Sequence, residues 1–499
     1  MNSLVEPHLG REEQSFSAPR VVDALLGVLP AHCVLHREED THPYECDGLS
    51  LYRALPPVVV LPETEEQVVA VMRLCKRLNV PLVARGAGTG LSGGAMPHSQ
   101  GVLMGLAKFN RIKRIDPAAG VAVVGPGVRN LAISEAAAAH GLYYAPDPSS
   151  QIACSIGGNV AENSGGVHCL KYGLTVHNVL AVRVVTIDGD VVDLGSEAPD
   201  APGLDLLALF IGSEGMLGIV TEVTVKLIPK PACARVVMAS FSSVEAAGQA
   251  VTDIIAAGII PAGLEMMDRQ AVQMVEPFVN AGYDVAAQAI LLCESDGTAE
   301  EVTHEIEHME AVFRKAGATR LQVSRDEAER LTFWAGRKNA FPAAGRVSPD
   351  YYCMDGTIPR RHLARVLGAI EQMEDEYGLR CANVFHAGDG NLHPLILFDS
   401  NKPDEVERAE KFGAAILELC VKVGGTLTGE HGVGMEKINQ MCVQFSRDEL
   451  DAFVAVKRAF DPPGLLNPEK VIPTLARCAE YGKMHVHAGE LSFPELARF

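Results

Sequence analysis

The sequence has no Cys-x-x-Cys pair among its twelve cysteines, the nearest two being Cys33 and Cys46. That excludes the frameworks of an iron–sulfur protein and a zinc ribbon. It has no uninterrupted apolar run of the ~20 residues needed to span a bilayer. A secretory leader is not expected either, because Glu6, Arg11, Glu12 and Glu13 interrupt the N-terminus before any apolar stretch begins. Basic residues are in deficit, 43 against 63 acidic ones, giving a formal charge of −20. A nucleic-acid binder needs a basic face to neutralise phosphates, so that class is excluded. Long internal repeats and low-complexity tracts are also missing. The expectation is a soluble cytoplasmic protein with reduced thiols. Its 499 residues should hold two or three domains.

What is there is glycine, much of it gathered in a few loops. Residues 1–50 form an N-terminal segment with one helix expected over 21–29. From Pro57 the pattern turns α/β. Val58-Val59-Val60-Leu61 reads as a buried strand by its β-branched content. Thr64-Glu65-Glu66-Gln67 reads as a capping box opening a helix, with Val68, Val69, Val71, Met72, Cys75 and Leu78 on the apolar face. A strand over 81–84 then delivers the chain into Arg85-Gly-Ala-Gly-Thr-Gly-Leu-Ser-Gly-Gly94. This loop contains a G-x-G-x-x-G string, but a dinucleotide fold needs a helix next and an acidic residue about 20 positions on. Here Pro97 and another strand, 101–106, follow instead. What remains is a loop poor in side chains whose N–H groups can form an anion-binding nest for a pyrophosphate.

Two more loops of this kind follow. After a helix expected over 130–140 come Ala145-Pro-Asp-Pro-Ser-Ser150 and Ser155-Ile-Gly-Gly-Asn-Val-Ala-Glu-Asn-Ser-Gly-Gly166. Then Gly212-Ser-Glu-Gly-Met-Leu-Gly-Ile-Val-Thr-Glu222 runs into an alternating strand. Three such loops point to one large ligand threaded across a single domain, 51–230. Near Pro229-Lys230-Pro231 the composition shifts, and a second domain is expected over 231–499. Its helices are expected at 244–257, 299–316, 326–339, 361–377 and 404–423, with strands at 289–293, 351–358 and 381–385. That rhythm fits helices on one face of a mostly antiparallel sheet. A last helix should end at Phe460.

The most informative stretch is Asn383-Val-Phe-His-Ala-Gly-Asp-Gly-Asn-Leu-His-Pro394, read as strand, tight loop, strand. His386 and His393 stand at its two shoulders, and the loop glycines let the backbone turn so that both rings face one point. Downstream, Gly429-Glu430-His431-Gly432 adds a carboxylate and a third imidazole. Two neutral imidazoles and a carboxylate are a ligand set for a divalent cation with an open position. Asp389 reads either as a partner fixing a ligand tautomer or as a turn residue bonding its own backbone.

These loops together resemble the FAD-binding (PCMH-type) domain of the vanillyl-alcohol oxidase flavoprotein superfamily, and the second half resembles its FAD-linked oxidase C-terminal domain. The motifs are RGAGTGLSGG, SIGGNVAENSGG, GSEGMLGIVTEV, HAGDGNLHP, GEHGVG and LNPEK. The fold implied is α+β, a PCMH-type FAD-binding domain followed by an α+β substrate domain. Within the superfamily the chain is most similar to the flavin subunits of bacterial glycolate oxidases, with D-lactate and D-2-hydroxyglutarate dehydrogenases as relatives. The resemblance implies oxidation of glycolate, and of D-lactate, by hydride transfer to FAD.

By that resemblance Arg85, Gly86, Gly88, Thr89, Gly90, Ser92 and Gly93 wrap the FAD pyrophosphate. Pro146, Ser149, Gly157, Gly158, Asn159, Asn163 and Gly165 line the flavin and ribityl chain, and Glu214, Gly218 and Ile219 the adenine side. Asn467 meets the flavin or caps a turn. Thr89 stands where relatives with covalent flavin often carry His, so FAD should be non-covalent. His386, His393 and Glu430 carry over as ligands of zinc, manganese or iron, and His431 as the base. Arg337, in Trp334-Ala-Gly-Arg337, carries over as the residue that binds the substrate carboxylate. Phe341 and Cys353 stand where the hydroxyglutarate enzymes grip a second carboxylate, which implies a small monoacid. The implied partners are a second flavin subunit and an iron–sulfur subunit, tying the chain peripherally to the inner face of the membrane. Two rivals keep the same residues: a stand-alone D-lactate dehydrogenase, and a metal-dependent hydrolase with Glu430 as base. A third is a flavin subunit that only relays electrons.

Overall fold

The computed structural model describes residues 16–198 and 203–474. Val58–Val60, Leu82–Arg85 and Val102–Gly105 are apolar and buried almost throughout. Buried on both faces, they pair in parallel, Val102–Gly105 in the middle, and Val34–Leu35 adds an antiparallel edge. The crossover helix Glu65–Leu78 covers this sheet with Val68, Val71, Met72, Leu74 and Cys75. Thr64 caps it by accepting from Gln67 N. The expected reciprocal bond does not form. Gln67 Oε1 accepts instead from Glu63 N, one residue earlier, at 2.7 Å.

A second sheet is wholly antiparallel, in the order Ile112–Asp116, Val121–Val124, Ile219–Lys226, Val179–Val185, Val191–Gly195. Val185 and Ile219 are buried in one cluster with Val58, Val60 and Met104, which joins the two sheets. The glycine stretch 155–166, expected as a loop, contains the helix Ile156–Glu162, closed by Asn163 in the left-handed region. Gly157 allows it: a Cβ there would lie 2.6 Å from the Pro126 ring. Ile156, Asn159 and Val160 supply the buried face.

The second half is built on a seven-stranded antiparallel sheet. Its order is Arg320–Val323, Cys233–Phe241, Ala289–Gly297, Gly263–Asp268, Arg380–Phe385, Pro394–Phe398, Asp350–Cys353. Helices cover both faces, not one. Val237, Ala239, Leu264 and Met266 face Val244–Ala256, Ala299–Lys315, Leu363–Tyr377 and Pro403–Lys422. Val236, Met238, Met267 and Leu292 face Arg269–Val279, Glu327–Lys338 and Ala340–Val347. Apolar residues occupy both faces of the central strands, as in Val236 to Ala239 and Ala289 to Cys293, so neither face can be left to water. The strand expected over 351–358 stops at Cys353.

After the helix Arg447–Phe460 the chain returns to the first sheet. Leu82 N donates to Leu465 O and Asn467 N to Leu82 O, each at 2.8 Å. Among the described residues ten cysteines are free. Cys442 is disulfide-bonded, which departs from the expectation of reduced thiols throughout. No described helix is long and apolar enough to cross a membrane.

Candidate active site

Arg380–Phe385 and Pro394–Phe398 are adjacent antiparallel strands with Asn383 opposite Pro394, so the eight residues between them must turn tightly. His386 directly follows the first strand and His393 directly precedes the second. Their rings meet edge to face with centroids 5.0 Å apart. Glu430 Oε1 lies 3.2 Å from His386 Nε2 and 2.8 Å from His393 Nε2. His431 stacks on His393 at 4.9 Å, with its Nε2 3.9 Å from the same Glu430 oxygen. All four residues singled out in the sequence come together. Asp389 takes the turn role, accepting from Asn391 N at 3.0 Å.

The partner that fixes His386 is a residue the sequence did not reveal. Glu265, 1% exposed in the strand Gly263–Asp268, sets its Oε1 2.6 Å from His386 Nδ1. Its Oε2 accepts from Arg337 Nε at 2.6 Å. Arg337 and Trp334 lie one turn apart on Glu327–Lys338, so both reach the same sheet. Trp334 Nε1 donates to Glu294 Oε2 at 2.5 Å. Burial alone would push the Glu265 carboxyl up, but His386 and Arg337 outweigh it and hold the group below its ordinary range. Arg337 Nη2 is buried with no partner, a donor waiting for an acceptor.

Asp355 and Lys437, both buried, hold the Glu430 loop from beneath. Asp355 accepts from Gly429, Glu430 and His431 N and from Thr428 Oγ1, at 2.6 to 3.1 Å. Lys437 Nζ donates to Asp355 Oδ2 at 3.0 Å and to Gly432 O at 2.8 Å. This seat aims Glu430 and His431. Burial lowers the His431 imidazole to about 4, against the pull of Asp355, so it stays neutral near pH 7 with one ring nitrogen open to accept a proton. Burial opposes ionisation of Glu430, yet the two facing imidazoles hold it well below the carboxylate range.

Arg85, Gly86, Gly157, Gly158, Glu214, Gly218 and Ile219, drawn from all three glycine loops, line one cavity. Ser213 Oγ and Glu162 Oε2 also line it and are buried without partners. Gly88 has φ +73°, and a Cβ there would strike the Arg85 guanidinium. Thr89, Gly90, Ser92 and Gly93 are not among the residues that line this cavity. Gly48 packs on the carbonyls of Thr89 and Gly90, Ser92 O accepts from Met435 and Glu436 N, and Gly93 faces Met435. Pro146 O accepts from Asn130 Nδ2, which also positions Asn159 through its Oδ1. Ser149 is exposed and Asn163 Oδ1 accepts from Val176 N. Glu214 also accepts from Val433 and Gly434 N, locking the third loop to the second half. Asn467 does not line the cavity. Its Nδ2 donates to Gly94 O at 2.9 Å and to Glu214 O at 2.6 Å, pinning two of the loops together.

Gly165 joins the cavity to the histidines. A Cβ on it would lie 2.5 Å from Glu430 Oε2. The helix Ile156–Glu162 lines the cavity with Gly157, Gly158, Ala161 and Glu162, and Gly165 follows three residues after its end. Both expected groups fit the residues present. Ligand atoms of His386, His393 and Glu430 lie within 4.8 Å of one another. The Glu265 contact at Nδ1 leaves His386 Nε2 free to coordinate, the usual arrangement of a ligating imidazole. The unpartnered Ser213 hydroxyl in a glycine-walled cavity suits a polar cofactor.

Comparison with known proteins identifies the family of each half of the chain. The FAD binding domain family matches residues 56–195, and the C-terminal domain family of FAD linked oxidases matches residues 230–471. Glycolate oxidase subunit GlcD of Escherichia coli (strain K12) is 63% identical over 499 residues, covering 100% of both chains. Glycolate oxidase subunit GlcD of Bacillus subtilis (strain 168) is 40% identical, covering 87% of this chain and 93% of its own. A D-lactate dehydrogenase of Anaerostipes hadrus is 32% identical, covering 91% and 97%. Among solved structures, a 4-ethylphenol oxidase from Gulosibacter chungangensis superposes with a TM-score of 0.76 at 19% identity, covering 92% of this chain and 98% of that one. p-Cresol methylhydroxylase gives 0.74 at 18% identity, covering 92% and 97%.

Proposed function

The chain belongs to the FAD-linked oxidase family, and from that premise we propose that it oxidises glycolate to glyoxylate, and D-lactate to pyruvate, at the place where Glu430 meets Gly165. It is an FAD-dependent hydroxy-acid oxidoreductase. The observation that carries the substrate reading is the convergence of His386, His393, Glu430 and His431 against Gly165, three residues after the helix that lines the glycine-walled cavity.

His386 and His393 through Nε2 and Glu430 through its carboxylate would hold zinc, manganese or iron. Arg85, Gly86, Gly157, Gly158, Glu214, Gly218 and Ile219 would hold FAD, non-covalently, with Thr89 offering no imidazole for attachment. When bound, the cation supplies Lewis acidity at the substrate hydroxyl and the flavin supplies a two-electron acceptor. Arg337 Nη2, anchored through Nε by Glu265, binds the substrate carboxylate by a charge-assisted bond and so fixes which hydrogen faces the flavin. His431 accepts the hydroxyl proton at Nε2, the ring nitrogen turned toward Glu430. Asp355 and Lys437 keep that imidazole in place. Cys353 and Phe341, which packs on Tyr351, offer no cation to a second carboxylate, which favours a small monoacid.

The two glycolate oxidase relatives are named as subunits, which supports a place for this chain in a multi-subunit complex. The proposed partners are a second flavin subunit and an iron–sulfur subunit that take its electrons and attach it to the inner face of the membrane. The twelve cysteines form no cluster motif that would let the chain pass electrons onward by itself. Anaerobic addition of each acid to the purified chain, followed by flavin absorbance, tests the substrate. A larger kcat/KM for glycolate than for D-lactate supports the reading. The reverse order favours a D-lactate dehydrogenase, and a colourless protein a hydrolase.

A further inference from the structure

His393 stands in two clusters at once. With His386 and Glu430 it forms the ligand set described above. With Cys353 and His431 it forms another, whose ligand atoms also lie within 4.8 Å of one another. Cys353 closes the strand Asp350–Cys353 and is 5% exposed, and His393 is 3% exposed. Two ring nitrogens here, His393 Nδ1 and His431 Nδ1, are buried with no hydrogen-bond partner. Buried polar atoms are rarely left so, and each such atom calls for a ligand or another explanation. Solvent can approach, because a cavity lined by Gly48, Arg53, Leu91, Tyr351 and Cys353 opens beside the thiol.

We propose that Cys353, His393 and His431 form a second cation site, selective for thiophilic divalent ions of the zinc and cadmium class, whose occupation shuts the enzyme off. One thiolate and two imidazoles are soft to borderline donors, whereas two imidazoles and a carboxylate accept harder ions. On binding, the Cys353 S–H bond breaks, its proton goes to solvent, and a sulfur–metal bond forms with no change of oxidation state. The two sites share His393, so both cannot be fully coordinated together. The same event removes the lone pair of His431, the residue that would take the substrate proton. A thiophilic ion is therefore an inhibitor with a built-in seat.

The inhibition rests on the oxidation proposed above, but the binding does not, and one titration separates them. Cadmium chloride is added to the full-length FAD-loaded chain in thiol-free buffer. Cadmium NMR reads the ligand set, and anaerobic flavin bleaching by glycolate reads the activity. The expected result is a resonance of one-sulfur, two-nitrogen coordination near one equivalent, with bleaching slowing as the site fills. Loss of an outer-shell partner alone weakens metal affinity by about 10–100-fold. In Cys353→Ser the sulfur signature should vanish, and half-inhibition, relative to the variant's own rate, should need at least about tenfold more cadmium. A resonance without sulfur overturns the site, and so does a Cys353→Ser enzyme inhibited at the wild-type concentration. If that variant does not load FAD, the wild-type resonance decides alone. A wild-type chain that glycolate never bleaches contradicts the oxidation reading and leaves the resonance to decide the site.

Discussion

His386 and Arg337 are tied to one carboxylate: Glu265 Oε1 lies 2.6 Å from His386 Nδ1, and Glu265 Oε2 accepts from Arg337 Nε at 2.6 Å. The residue that would ligate the cation and the residue that would bind the substrate carboxylate are thus held in one rigid frame.

Glu265→Gln keeps the shape and removes the charge. Metal affinity should fall about 10–100-fold, and the KM for glycolate should rise because Arg337 loses its anchor. Metal content after dialysis and the separate KM and kcat values check this. A variant that melts earlier but keeps its metal and its KM would make Glu265 a packing residue only.

Asp355 and Lys437 are both fully buried and 3.0 Å apart. Removing one partner of such a pair typically costs about 3–5 kcal/mol, since the other charge stays buried alone. Asp355→Asn and Lys437→Met should each lose stability on that order in chemical denaturation, and the double variant should lose less than their sum. Flavin bleaching should fall in all three, because the backbone of Glu430 and His431 hangs on Asp355.

The sequence made the donors legible and hid the frame. Histidines 386 and 393 announce themselves by flanking a short glycine loop, and Arg337 through the resemblance of Trp334-Ala-Gly-Arg337 to a family segment. Glu265 sits in Gly-Leu-Glu-Met-Met-Asp, where one acid in an apolar strand carries no motif, and its role appears only when the strand lies beside 380–385. Asp355 and Lys437 are 82 residues apart, so no local pattern connects them. The glycine stretch 155–166 misled for the opposite reason. Its glycines look like a loop, but tertiary packing on Pro126 overrides their low helix propensity. The two-sided covering of the second sheet was written in strands without polar alternation, such as Ala289 to Cys293, a pattern that periodicity alone cannot separate from a one-sided sheet.

His168 links the two halves, its Nδ1 2.8 Å from Asp147 Oδ2 and its Nε2 3.1 Å from Glu294 Oε1. Burial opposes its charge, but the two carboxylates raise the imidazole well above its ordinary 6.5. Burial likewise opposes ionisation of Glu294, and His168 and Arg330 bring it down to about 2. A raised imidazole stabilises the fold fully below 6.5 and loses that contribution as pH climbs through its folded value. A lowered carboxyl contributes above 4.5 and is lost only as pH falls through about 2. The melting difference between wild type and His168→Asn should therefore be largest on the mildly acidic side and shrink as pH rises. A gap that does not change with pH would mean that His168 acts by shape alone.

The most direct measurement is anaerobic flavin bleaching by glycolate in Glu430→Gln, beside the wild type. The variant should purify yellow, since Glu430 lies outside the glycine-walled cavity, and should bleach at least about 100-fold more slowly, as befits loss of a ligand beside the base. Bleaching at the wild-type rate would contradict the account, because the acid oxidation would then proceed without the carboxylate on which His386 and His393 converge.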